Sequence, residues 1–228
     1  MAIPRNLGNL AQGADTSGVL GTSKGGTGLS SVGTNGQVLQ SNGSSLVYAT
    51  PSAGAMTLLN TVTASNSTSL ADTTSLTSAY DLYMIQIVNL VPTNDGTLRM
   101  RVSVNGGSSY IGSQYNATFI SNPSAGQQDY QQTNYIPLAP AGSLSNNSNL
   151  GHCATIYIVT PSSTTKYKSI YGTGAYWGTD ALGNFLYIPF SVGGTNTNTL
   201  NAINAIQLIM VSGNIASGRM LIYGIKTS

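Results

Sequence analysis

The sequence predicts an all-β protein: an extended N-terminal connector followed by an antiparallel β-sandwich of jelly-roll-like form. Three observations point there. Charged residues make up 6% of the 228, glutamate is absent, and Gly, Ser, Thr and Asn abound, which is a poor alphabet for helices. After Pro51, short apolar runs bounded by turn residues recur at the spacing expected of a sandwich or barrel. No stretch sustains a 3.6-residue period. An apolar share of 40% with little net charge separates the chain from disordered sequences, so a packed core can form.

Residues 1–51 carry only isolated apolar positions, such as Leu7, Leu10, Val19, Leu29, Val32, Val38, Leu39 and Val47, among Gly, Ser and Thr. A segment of this kind does not build a core from its own residues. Its apolar pairs are expected to form strand-like pieces that become buried on assembly, with a free linker as the alternative. Residues 52–228 are the expected outer domain.

Within that domain the clearest element is Leu98-Arg99-Met100-Arg101-Val102-Ser103-Val104. Unbroken alternation puts Leu98, Met100, Val102 and Val104 on one face and the arginines in solvent. Tyr83 to Val91 reads as a more completely buried strand, joined to it by a Pro92–Gly96 loop. Asn105-Gly106-Gly107, tolerant of positive φ, ends the pair. Further strands are expected at Met56–Val62, Tyr115–Ile120, Tyr130–Pro137, Thr155–Thr160, Lys168–Thr173, Asn184–Val192, Ala205–Val211 and Met220–Ile225. Leu200, Ile203 and Ile206 are spaced by three, yet Ile206 to Val211 followed by Ser212-Gly213-Asn214 reads better as a buried strand.

Two segments carry a family likeness. Gly21-Thr22-Ser23-Lys24-Gly25-Gly26-Thr27-Gly28, followed by Gly33-Thr34-Asn35-Gly36-Gln37-Val38-Leu39-Gln40-Ser41-Asn42-Gly43-Ser44, resembles the connector module of phage tail-fibre and other virion appendage proteins. The block from Tyr80 through Arg101–Tyr110 to Tyr223-Gly224-Ile225-Lys226 looks like a β-sandwich domain of the same kind of protein. The resemblance implies a homotrimer that contacts other virion proteins through the N-terminal segment, with Lys24, Gly25, Gly26, Gly28, Gln37, Val38 and Leu39 as connector residues. It implies assembly in the host cytoplasm and residence in the virion, with a host-surface glycan or protein as partner of the outer domain. The expected function is a short trimeric tail fibre or adhesin, since one connector copy implies a short appendage. A capsid decoration or head-fibre protein fits the same pattern, and a polysaccharide depolymerase is the enzymatic alternative.

The residues themselves bear little catalytic chemistry. Eight Lys and Arg are scattered without a basic stripe, which argues against nucleic acid. Lys24 precedes Gly25 with no helix after it, unlike a phosphate loop. The N-terminus lacks the apolar core of a secretory signal, and no apolar run reaches the ~18–20 residues of a membrane span. His152 and the single cysteine, Cys153, lack metal-ligating company nearby, and calcium finds no acidic loop, so no metal or cofactor is expected. Six aspartates are the only acids for a glycosidase pair, and turn or capping roles account for Asp72, Asp81 and Asp95, so no catalytic residue is assigned. Aromatic residues beside amides and hydroxyls are the better binding candidates: Tyr176 and Trp177 in a Gly-rich stretch, then Tyr110 and Tyr115. Burial of Trp177 in the core or in a subunit interface is the alternative.

Overall fold

The computed structural model describes residues 14, 18–22, 26–51, 55–121, 128–179, 182–197 and 200–226. The chain divides into two compact units, Met1–Gly54 and Ala55–Ser228. In the first, β1 (Val38–Ser41) and β2 (Leu46–Ala49) form an antiparallel hairpin. Its turn is held by the Asn42 side chain, whose Oδ1 accepts the Ser44 and Ser45 N–H groups at 3.0 and 2.8 Å.

Twelve strands follow among the described residues of the second unit: β3 (Met56–Thr63), β4 (Ser69–Asp72), β5 (Leu82–Pro92), β6 (Gly96–Ser103), β7 (Tyr115–Ser121), β8 (Gln128–Gln132), β9 (Ile136–Leu144), β10 (His152–Val159), β11 (Ile170–Thr179), β12 (Phe185–Asn196), β13 (Ala205–Met210) and β14 (Ile215–Ile225). No α-helix occurs among the described residues. One sheet runs β3-β14-β5-β10-β11-β12-β7-β8 and the other β9-β6-β13-β4, with every pairing antiparallel. They meet at a corner where Gly178 of β11 pairs with Leu144 of β9.

The core lies between the sheets. Alternation on β5 turns Tyr83, Ile85 and Ile87 inward, and Ile156, Ile158, Met220 and Ile222 join them from β10 and β14. From the smaller sheet come Leu98, Met100, Val102, Ile206, Leu208, Ile136 and Leu138. Side-chain hydrogen bonds also tie the layers, among them those of Tyr115 and His152. Tyr115 on β7 accepts the Val102 N–H at 3.0 Å through its hydroxyl, which donates to the Ile111 carbonyl at 3.2 Å. His152 on β10 donates from Nε2 to the Leu138 carbonyl of β9 at 2.9 Å.

The antiparallel sandwich expected from the sequence is present, with local differences. The predicted Tyr130–Pro137 strand is two strands, β8 and β9, separated by a turn at Thr133–Tyr135. β4 was not anticipated, because Ser69-Leu70-Ala71-Asp72 is too short to declare a period. The β5–β6 loop is three residues, not five, since Pro92 and Gly96 both belong to strands. Leu98, Met100 and Val102 face inward as expected, but Val104 lies beyond the strand end and is partly exposed. Arg99 and Arg101 are half-buried rather than free in solvent, and Arg99 stacks over the Tyr135 ring at 4.4 Å. The segment from Leu200 to Asn204 is irregular, and β13 is the strand preferred over a helix. Buried Lys168 fixes that segment by donating to the Leu200 and Asn201 carbonyls at 2.6 and 2.7 Å. Burial lowers the pKa of the amine.

Candidate functional site

The chain enters the sandwich at Met56, which pairs with Ile225, and Ile225 pairs with Leu82 and Leu82 with Val159. These four residues mark one pole. β11 runs from Ile170, paired with Ile158, away from that pole to Thr179 at the opposite one. Consecutive β11 side chains point to opposite faces of the sheet. Tyr176 therefore points inward and Trp177 outward.

Tyr176 is completely buried and stacks on His152 at 5.8 Å and against Phe190 at 6.0 Å. It is a core residue, which overturns its expected contact role. The neighbouring Gly174 permits this packing: a Cβ there would sit 2.8 Å from Phe190 and 2.7 Å from the Ala154 Cβ. Tyr115 is also buried, and burial pushes its hydroxyl up to about 12, so it is a core rivet and not a binding residue. Tyr110 is partly buried in the loop after β6. Burial, then the Asp72 carboxylate, raises its hydroxyl pKa. That loop follows the far end of β6, so the structure does not bring Tyr110 together with Trp177.

Trp177 stands on the outer face directly across from Tyr187, with ring centroids 5.3 Å apart. Two pairs further along, on the same face, Thr179 stands opposite Phe185, and Tyr187 and Phe185 are 57% and 50% exposed. Leu182, in the connecting turn, is 87% exposed. These three residues were not singled out from the sequence. The signal was present, because a β11–β12 hairpin in register puts Tyr187 opposite Trp177.

A polar network adjoins the aromatic cluster. The Trp177 carbonyl accepts the Ser145 N–H at 2.9 Å, anchoring the β9–β10 loop beside the rings. From that loop Asn146 donates its N–H to the Asp95 carboxylate at 2.7 Å and its side-chain amide to the Thr93 carbonyl at 3.3 Å. Thr93 and Asn214 exchange hydrogen bonds at 2.9 Å, and the Asn214 amide reaches the Asn66 carbonyl and side chain at 3.1 and 3.0 Å. Five loops thus gather at this pole: 64–68, 93–95, 145–150, 182–184 and 211–214. Among their described residues, Asp95 is the one ionisable side chain. Aromatic faces beside amides and hydroxyls suit an uncharged, polyhydroxylated or mixed surface better than a charged one.

Elsewhere, the described residues hold no group of three His, Cys, Asp or Glu placed to bind a metal ion. Asp72 is buried, with its carboxylate engaged by Asn60 and Ser75 at 2.7 to 3.1 Å. His152 is a core residue; burial brings its pKa down to about 4. Of the connector residues, Lys24 and Gly25 lie outside the described residues. Gly26 and Gly28 donate their N–H groups to the Gly21 and Leu20 carbonyls, both at 3.1 Å. Gln37 closes a turn by accepting the Thr34 N–H on Oε1 at 2.9 Å, and Val38 and Leu39 after it are exposed. No protein-family model, curated protein or solved structure matches the chain, and the aromatic pole is its best-supported candidate site.

Proposed function

We propose that this chain is a structural protein of a bacteriophage virion, a short trimeric tail fibre or adhesin that holds the particle through residues 1–51 and touches the host surface with its outer domain. The observation that supports this reading best is the separation of two poles within one sandwich. The chain enters at Met56, and the cluster of half-buried Trp177 with exposed Tyr187, Phe185 and Leu182 and its amide-rich loops lies at the other end of the strands. An appendage anchored by its N-terminal segment uses its remote pole for contact. The connector motif of residues 21–44 supports the virion assignment, and the weak charge of the pole favours a glycan or an uncharged protein surface over an electrostatically steered partner.

The test is adsorption of the purified full chain to host cells. Trp177→Ala and Tyr187→Ala are expected to weaken binding by about 10- to 100-fold, the scale of about 1 to 3 kcal/mol for an interfacial aromatic, with an unchanged far-UV spectrum. Unaltered adsorption by both variants would remove the pole from the contact. Labelling of the outer domain on the particle shell instead of the tail would replace the fibre assignment by a capsid decoration.

A further inference from the structure

The outer face of the larger sheet carries a second apolar feature, at the pole where the chain enters. Strand register arranges it in two rows. Leu58, Tyr223, Met84, Tyr157 and Tyr171 form one row across β3, β14, β5, β10 and β11. Met56, Ile225, Leu82 and Val159 form the next row across the first four of these strands. None of the nine is in the core. Met56, Leu58 and Tyr171 are 51%, 50% and 47% exposed, and the others are partly exposed.

With strands ~4.8 Å apart and rows ~6.6 Å apart, the band covers on the order of 300 Å². The largest apolar patch on a typical single chain measures about 300 to 600 Å² and is often functional. The band carries no Lys, Arg, Asp or Glu; Asp81 and Lys226 stand just beyond its second row and Arg219 two rows from its first, on the far side. A lipid surface of anionic headgroups would call for a basic surround, which this mixed border does not supply.

We propose that this band is where copies of the chain meet one another. The inference rests on the reading of the protein as a homo-oligomer and names the surface that the outer domains contribute. Two properties of the band select a second copy as its occupant. Being uncharged, it meets its own likeness without repulsion. It also begins at Met56, a few residues along the chain from Pro51, so copies joined through the segment before residue 52 hold their bands on short tethers. The area is well below the ~800 Å² per partner of a stable free-standing complex. The contact therefore depends on the preceding segment, which supplies a high effective concentration.

Methionine oxidation of the full chain reads this contact directly. Met56 lies in the band and half exposed, whereas Met100, Met210 and Met220 are core residues that report an intact fold. Under dilute peroxide, followed by mass spectrometry, Met56 in the wild-type protein is expected to oxidise at least 5-fold more slowly than in the double variant Met84→Lys/Tyr157→Lys. The paired control Thr61→Lys/Thr155→Lys, one row away on β3 and β10, is expected to leave that protection in place. If the first variant loses protection of its core methionines as well, Leu58→Lys at the edge of the band replaces it. Full chain that sediments as an oligomer while Met56 oxidises at the variant's rate would overturn the band and spare the oligomer. A monomer at all micromolar concentrations would overturn both, and protection that appears only on adding host cells would assign the band to the host.

Discussion

His152 shows how one side chain can couple two sheets to pH. Its Nε2–H is spent on the Leu138 carbonyl, Nδ1 has no hydrogen-bond partner, and Tyr176 and Phe190 enclose the ring. Burial lowers its pKa from 6.5 to about 4, so between those values the unfolded chain binds a proton that the native chain does not. Stability from this residue is full above pH 6.5 and is lost as pH falls toward 4, by about 3 kcal/mol in all. Denaturant midpoints measured across that window are expected to fall in the wild-type protein and to fall less in His152→Gln; parallel curves would refute the assignment. The adjacent pair Tyr176 and Trp177 divides structure from contact. Tyr176→Ala is expected to cost about 3 to 5 kcal/mol because it opens the core, whereas Trp177→Ala, on the outer face, is expected to cost less than about 1 kcal/mol. Equal losses of thermal stability in the two variants would show that Trp177 is a core residue after all.

Among the elements, β5 and β14 depend on irregularities. Asn89 on β5 has φ +48°, and the register of β14 shifts on both sides of Ser217 where it passes this point. Cys153 staples the bulge: its Sγ accepts the Asn89 N–H at 3.4 Å and donates to Asn89 Oδ1 at 3.3 Å. Opposite lies Gly218, at φ +111°, where an added Cβ would sit 2.5 Å from the Leu90 Cα. Strain and overlap add at this position, so Gly218→Ala is expected to destabilise by about 2 to 4 kcal/mol. Gly193, on β12, has open space around the same atom, and Gly193→Ala is expected to be nearly neutral. Thermal denaturation of the two variants checks the contrast, and comparable midpoints would mean that the bulge relaxes freely.

On the scale of the whole molecule, the core belongs to one unit. Every member of the buried apolar cluster lies between Ala64 and Ile222, inside Ala55–Ser228. Removal of residues 1–51 is therefore expected to leave a β-rich domain that melts cooperatively, while incorporation into particles is lost. The same truncation is expected to leave a monomer at micromolar concentration, because the apolar band alone is too small to hold copies together. Circular dichroism, sedimentation and particle assembly test the three parts separately, and truncated protein that still enters virions would refute the proposed attachment role of the N-terminal segment.

The sequence by itself determined the sandwich class and much of the strand inventory, because burying one face of a strand imposes a two-residue period that survives in stretches such as Leu98 to Val102. It also set the N-terminal segment apart, since isolated apolar residues among Gly, Ser and Thr do not make a core. Where the period fails, so did legibility: β4 is too short, and β8 and β9 merge across a turn with no Gly or Pro in Thr133–Tyr135. The site was harder still. Tyr176 and Trp177 are adjacent in a Gly-rich run, and only the orientation of β11 decides which of them is buried. Tyr187 joins Trp177 across a single hairpin, but Asn146, Asp95 and Asn214 reach that pole from distant loops, and the two rows of the apolar band draw on five strands whose register no local pattern encodes. Period is a property of neighbours along the chain, whereas a surface is made by neighbours across it, and those the tertiary structure alone brings together.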